Sequence, residues 1–375
     1  MLFENVYYFG DDLSFHKGCV TVENGRIAGI SEPKPHGGSE IKYLIPGLVD
    51  LHCHGNSGVD FSDGDYGALK VMARRLAENG ITSFSPASMT VPEAALKKAY
   101  TAAAKLKREA PQGLSKLRGI TMEGPFLSEQ YRGAQWGDCL QSPDEALFDR
   151  LNEAAEGLIR IVCVAPELDG AEAFIRSVSK KAVVAIAHTA ADYETAASAI
   201  QNGASHVTHL FNAMPPMLHR EPGVVGAAAE SGGVTAELIC DGVHIHESAV
   251  RAAFRLFGPE RIVLISDSVR ACGMSDGEYT LGGQRIQKKG DVAVLADGTL
   301  AGSVTYLSDC MKKAISFGIP AEHAVRAASY NPAAVLGIRN EVGTVAKGKC
   351  ADLVLLSADF TIETVYSDGI PILKK

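Results

Sequence analysis

Tryptophan occurs once in the 375 residues, at position 136, and nowhere do Lys and Arg gather into a basic block. The 36 Lys and Arg are outnumbered by 44 Asp and Glu, a formal charge of −8. Nucleic acid and anionic bilayers are gripped by clustered positive charge, so neither is expected as a partner and a small molecule is. No apolar run approaches the ~20 residues that cross a bilayer. The start Met1-Leu2-Phe3-Glu4 lacks the basic flank of a secretory leader, and the expected compartment is the cytoplasm. The eight cysteines stand apart without a C-x-x-C pair, which argues against a structural zinc knot or a redox motif; buried free thiols are expected instead. With 46% hydrophobic and 21% charged residues, the chain is neither disordered nor a disulfide scaffold.

What is present is alternation. β-rich stretches broken by turn pairs such as Asn24-Gly25 and Asp368-Gly369 lie at the two ends, over 5–30 and 343–373. They are expected to pair into one small β-sandwich domain of residues 1–45 and 338–375. Between them, strand candidates at 45–53, 81–86, 117–122, 159–165, 183–188, 206–210, 234–240 and 262–266 alternate with Ala-rich amphipathic segments, among them 68–79, 92–109, 171–180, 194–202 and 249–256. Eight strands with helices between them predict an α/β fold, a (β/α)8 TIM-like barrel over 46–337. The excess over the ~250 residues usual for such a barrel falls in a Gly- and Asp-rich insertion at 273–302. A doubly wound open sheet is the main alternative, but it needs a Gly-rich phosphate loop after the first strand, where His52-Cys53-His54-Gly55 stands.

His52 and His54 are two apart at the end of the first strand candidate, so strand alternation turns both to one face, able to address one ion. Alone, such a pair is a surface feature as often as a ligand pair. Later strand candidates also run out into polar groups: Glu123, His188, His209 and Asp267 each follow an apolar run. The C-terminal rim of a parallel barrel gathers strand ends, so these side chains are expected in one cavity. A divalent metal explains the crowding, since imidazole and carboxylate ligands suit zinc or iron. Other chemistries fail on inspection. The segment from Gly343 to Cys350 lacks the Ser or Thr of a phosphate loop, no G-x-S-x-G elbow occurs, and Cys53 faces away from its flanking histidines. His206, at an odd offset from His209, is expected to be structural, and His246 solvated or structural. Trp136 sits in a loop, where it covers the site or packs locally.

The run Pro46-Gly47-Leu48-Val49-Asp50-Leu51-His52-Cys53-His54-Gly55 resembles the opening signature of the amidohydrolase superfamily. More narrowly, the chain resembles the N-acetylglucosamine-6-phosphate deacetylases, through the segments 122–126 (MEGPF), 209–214 (HLFNAM), 220–223 (REPG) and 241–244 (DGVH) and through Asp267, in that order. The resemblance covers essentially the whole chain. It implies hydrolysis of the N-acetyl group of an amino-sugar 6-phosphate to acetate and the free amine. It also implies a main metal site of Glu123, His188 and His209 and a second of His52 and His54, hence one or two divalent ions per subunit, zinc first and iron second. Asp267 matches the catalytic acid/base and His244 the group that donates to the developing oxyanion. Asn212 and Ala213 match substrate contacts, and Arg220 a phosphate ligand reaching in from a neighbouring subunit, which implies a homodimer. Ala134, Gln135 and Ser303 match segments lining the sugar pocket, with Gln135 where many such deacetylases carry His. Three alternatives stay open: a cyclic-amide amidohydrolase, against which Arg220 and HLFNAM speak; another phosphorylated acetamido sugar as substrate; and a non-catalytic scaffold, which has no need of Glu123, His188, His209, Asp267 and His244 together.

Overall fold

The computed structural model of the chain describes residues 1–35 and 40–374. Eight strands, Leu48–Cys53, Ile81–Ser88, Ile120–Met122, Ile159–Val164, Val183–Ile186, Ala204–Val207, Thr235–Ile239 and Ile262–Ile265, lie side by side in chain order. All neighbours pair in parallel. The last strand curls back to the first: the N–H groups of His54 and Gly55 reach Ser268 O at 2.8 and 2.9 Å, and Asp267 N reaches His52 O at 2.9 Å. A helix follows each strand, namely Tyr66–Glu78, Glu93–Glu109, Glu145–Ala154, Ala171–Val178, Tyr193–Gln201, Gly223–Glu230, Glu247–Phe257 and Leu307–Ser316. This is the (β/α)8 barrel. Its strands are buried on the inside by one another and on the outside by helices, which is why they read as apolar runs rather than alternations.

Two expected strands are each split at a glycine that a neighbouring side chain crowds. The candidate 45–53 breaks at Gly47, where a Cβ would lie 2.0 Å from Thr82 Oγ1, and Tyr43–Pro46 leaves the barrel to pair with Leu353–Leu356. The candidate 117–122 breaks at Gly119, where a Cβ would meet Arg160 Cγ at 2.5 Å. The termini meet in a separate sheet of seven strands, in which Leu2–Phe9, Phe15–Glu23, Arg26–Ser31 and Tyr43–Pro46 are joined by Leu353–Leu356, Ile362–Ser367 and Ile370–Lys374. Phe3, Val6, Val20, Ile27, Leu44 and Leu353 form its own core. The 273–302 insertion folds as a three-stranded antiparallel sheet, Gly277–Leu281, Gln284–Lys289 and Val292–Val294.

Candidate active site

Strands five and six end at Ile186 and Val207, short of the expected 188 and 210, because the chain turns sharply just beyond them. His188, His209 and Asp267 adopt left-handed backbone conformations, with φ of 44°, 27° and 48°. Non-glycine residues avoid this region, and its cost is tolerated where the surroundings over-determine it, most often at functional sites. Each turn aims a side chain over the barrel mouth instead of continuing the ladder.

Four imidazoles meet there. Each commits Nδ1 to an acceptor: His52 to Glu237 Oε2 at 3.1 Å, His54 to Ala87 O at 3.1 Å, His188 to Tyr131 O at 2.9 Å and His209 to Asn212 O at 3.2 Å. With the N–H on that side, every Nε2 turns inward as a lone pair. Glu123 Oε1 lies 3.1 Å from both His188 Nε2 and His209 Nε2, and Glu123 Oε2 lies 3.1 Å from His54 Nε2. Asp267 Oδ1 approaches His54 Nε2 to 3.2 Å and His52 Nε2 to 3.7 Å. His52 Nε2 is buried without a hydrogen-bond partner. Apart from the Gln135 amide, this knot consists of acceptors, and only positive charge among them relieves their repulsion. The donor set fits a divalent cation. It divides into two groups, His52 with His54 and Asp267, and Glu123 with His188 and His209; within each, the ligand atoms lie within 4.8 Å of one another.

The titration behaviour expresses the same demand. Burial works against a proton on His52, but Glu237 and Glu123 outweigh it and hold the ring well above the ordinary imidazole value. His54, opposed by burial and favoured by Asp267 and Glu123, rises to about 10. Burial pushes Glu123 up, yet His52 foremost, with His188 and His209, carries it well below the usual carboxylate range. Asp267 is likewise lowered against burial, by His54 and His52. Protons on these rings are the metal-free substitute for a cation, and metal uptake exchanges one for the other.

A cavity of about 530 Å³ opens above the cluster, and Ala134, Gln135, Asn212, Ala213, His244 and Asp267 all line it, with Leu281, Asp297 and Thr299 of the insertion and its flank as one wall. Gln135 is already engaged: Oε1 accepts from Thr90 N and Nε2 donates to Glu123 Oε2, both at 2.7 Å. His244 Nδ1 pairs with Asp241 Oδ2 at 2.7 Å, while Asp241 Oδ1 accepts the N–H groups of Val243 and His244 at 2.9 Å. Besides His52, buried beneath the floor, two sequence candidates are not brought into the cavity. Ser303 is buried with its hydroxyl on Ser266 O at 2.5 Å, and its N–H braces Asp267 O at 2.8 Å; Gly302 is the residue of that segment that faces the cavity. Arg220 lies on an exposed stretch and lines a separate hollow of about 680 Å³ with Tyr193, Leu218 and Glu230. His246 is exposed and caps the helix Glu247–Phe257. Trp136 packs over Gly283, where a Cβ would sit 2.6 Å from its ring, and Gln284 Nε2 donates to Ala134 O at 2.7 Å, so the insertion clasps the 131–136 loop.

Sequence reasoning missed Asp50, Glu237 and Asp241. Asp50 is wholly buried, accepts from Ser266 Oγ at 2.6 Å and is pushed by burial to about 6. Asp50 and Glu237 were detectable as isolated acids inside apolar strand candidates, a placement that needs a partner.

A model of the amidohydrolase family matches residues 43–370. The N-acetylglucosamine-6-phosphate deacetylase of Bacillus subtilis (strain 168) is 36% identical, covering 100% of this chain and 98% of that protein. The N-acetylgalactosamine-6-phosphate deacetylase of Escherichia coli O157:H7 is 33% identical, with 93% of each covered. Among solved structures, a mutant of the N-acetyl-D-glucosamine-6-phosphate deacetylase from Mycobacterium smegmatis in complex with N-acetyl-D-glucosamine-6-phosphate superposes with a TM-score of 0.90 at 33% identity, covering 96% of this chain and 95% of that one. The match spans barrel and terminal sheet alike, and the chain belongs to the amidohydrolase family, among its amino-sugar-phosphate deacetylases.

Proposed function

We propose that the chain is a metal-dependent hydrolase that cleaves N-acetyl-D-glucosamine 6-phosphate to D-glucosamine 6-phosphate and acetate. The observation that carries this reading is the convergence of four imidazoles with Glu123 and Asp267 on the floor of the cavity, in a chain similar over its full length to the Bacillus subtilis deacetylase. Glu123, His188 and His209 would hold one ion and His52 and His54 a second. Zinc is the first assignment and iron the second, because imidazole and carboxylate suit both. Such a cation, when bound, acidifies water and polarises an amide carbonyl.

The chain's own groups do the rest. Asp267, held low enough to be ionised at neutral pH, takes a proton from the attacking water and passes it to the amine nitrogen, which must leave neutral. His244, fixed through Nδ1 by Asp241, would donate an Nε2–H to the carbonyl oxygen as charge develops there. Asn212, Ala213, Ala134 and Gln135 bound the sugar, and Ser303 holds the Gly302 wall. Arg220 supplies a planar fork for the phosphate. Its place outside its own subunit's cavity supports a homodimer in which it serves the neighbour's. Residues 46–337 carry the chemistry, and 1–45 with 338–375 form the supporting domain. A cytoplasmic setting is supported by eight unpaired cysteines, six of them buried. Among the described residues, no helix is long and apolar enough to cross a membrane.

The test is acetate release by purified protein from N-acetylglucosamine 6-phosphate, from its galactosamine epimer and from the unphosphorylated sugar, before and after chelation. Metal-dependent release from a phosphorylated sugar alone is expected. The galactosamine epimer is the second reading, supported by the Escherichia coli relative. No release from any of them with metal bound sinks the assignment and points to cyclic amides.

A further inference from the structure

The seventh strand carries a carboxylate on its inward face that the chemistry above does not use. Glu237 is 0% exposed and fully satisfied. Its Oε2 accepts from His52 Nδ1 at 3.1 Å and from the backbone N–H of His209 at 3.0 Å, and its Oε1 accepts from His206 Nε2 at 3.0 Å. His206 is itself gripped from behind, Nδ1 lying 2.6 Å from Thr235 Oγ1. The carboxylate therefore cannot swing away from His52 without leaving His206 unpaired in the core.

His52 is in this respect unlike its companions. His54, His188 and His209 rest their Nδ1 atoms on the neutral carbonyls of Ala87, Tyr131 and Asn212, whereas His52 alone among the four rests on a carboxylate. A carboxylate behind an imidazole fixes the tautomer and the ring plane and strengthens the opposite nitrogen as a ligand. That opposite nitrogen, His52 Nε2, is the cluster's buried polar atom without a hydrogen bond. A buried anion is costly unless charge of opposite sign lies close, and a cation across the His52 ring supplies it.

We infer that Glu237, clamped by His206, is the positioning residue that orients His52 as a ligand of the second ion. The inference rests on the metal-centre reading under Proposed function. It adds that Glu237 serves the second site through His52, its link to the first being the His209 backbone N–H, which the oxygen kept in a glutamine still accepts. Glu237→Gln isolates the effect: the amide keeps the shape and one acceptor for His52, and His206 accommodates the new N–H by moving its own proton to Nδ1, towards Thr235 Oγ1.

The experiment is a zinc titration of the chelated, full-length protein, with bound metal counted by elemental analysis and affinities read by calorimetry. Wild type is expected to bind two equivalents. E237Q should retain the first at unchanged affinity and bind the second about 10–100-fold more weakly. His52→Ala, as control, should lose the second altogether, and the metal-free melting temperature of E237Q should stay close to wild type. Wild-type uptake of a single ion, wild-type affinity at both sites in E237Q, or equal weakening of both sites would each overturn the inference. Should E237Q not fold, His206→Asn touches no ligand and is expected to weaken the second site alone by a smaller factor; an unchanged second site there overturns it too. Wild type that binds two ions, loses the second in E237Q and yet releases no acetate supports this inference and sinks the deacetylase reading.

Discussion

His188 Nε2 and His209 Nε2 stand 3.1 Å apart, each also 3.1 Å from Glu123 Oε1. Both rings have spent their Nδ1–H groups on backbone carbonyls, so two lone pairs and a carboxylate oxygen share a space that none of them leaves, because His188 and His209 are fixed by strained turns. The protein holds three acceptors that only shared positive charge can reconcile, a proton in the metal-free state or a cation in the loaded one, which is the preorganisation a metal centre needs.

Removing that charge should abolish activity reversibly. Chelated protein is expected to lose acetate release and to regain it on adding zinc. His188→Ala and His209→Ala should each cut zinc affinity at the Glu123 group by at least 10-fold, read by competition with a coloured chelator. Wild-type affinity in either variant would place the ion elsewhere.

Asp267→Asn keeps the size of the side chain and deletes the base. General acid–base catalysis contributes about 10²–10⁴-fold, so kcat should fall by that factor while the ion of the Glu123, His188 and His209 group is retained. A variant that turned over at more than a tenth of the wild-type rate would assign the proton transfers to another group.

The raised imidazoles make the metal-free protein sensitive to alkali. His54, at about 10 in the fold against ~6.5 unfolded, contributes stability that is complete below ~6.5 and is lost as pH rises through about 10. Glu123 and Glu237 act in the opposite sense: their lowered values contribute stability above the unfolded carboxylate value of ~4.3, lost as pH falls through the folded ones. The chelated protein should therefore melt highest between about pH 5 and 6.5 and progressively lower towards pH 10. The loaded protein, whose ions replace those protons, should show a shallower alkaline decline. Identical melting curves with and without chelator from pH 6.5 to 10 would contradict this.

Most of the architecture was legible because parallel strands buried on both faces announce themselves as apolar runs bounded by turns. The residues of the cluster were legible for the same reason, since a polar residue ending such a run is conspicuous at His188, His209 and Asp267. What escaped was set by tertiary contact. Thr82 against Gly47 decides where the first strand breaks, and no local pattern contains Thr82. Glu237 looked like one acid in a strand until His52 and His206 were found on either side of it, drawn from two other strands. Gln135 lines the cavity as expected of a sugar contact, but that its amide is also held between Thr90 and Glu123 depends on residues from two other loops.

That engagement makes Gln135 testable. Gln135→Leu leaves Thr90 N unpaired and Glu123 Oε2 without its neutral donor, so turnover is expected to fall about 10–100-fold, the usual cost of removing a partner of a metal ligand. Zinc affinity should weaken with it. A rise in KM alone, with kcat and zinc affinity unchanged, would leave Gln135 as a sugar contact only.

Arg220 gives the sharpest test of assembly. Arg220→Ala removes a charge-assisted contact worth about 1.5–3 kcal/mol, so kcat/KM for the phosphorylated sugar should drop about 10–100-fold while zinc content is unchanged. Since Arg220 does not line the cavity of its own chain, its damage should be separable from damage to the chemistry. Asp267→Asn and Arg220→Ala subunits, each nearly inactive, should regain activity when unfolded together and refolded as a mixture. A mixed dimer places an intact Asp267 and an intact partner arginine at one of its two sites, so about half of the mixed dimer's sites work, or roughly a quarter of wild-type activity if the subunits assort at random. Absence of any recovery, with mixed dimers demonstrated by mass, would mean that Arg220 acts within its own chain or not on the phosphate at all.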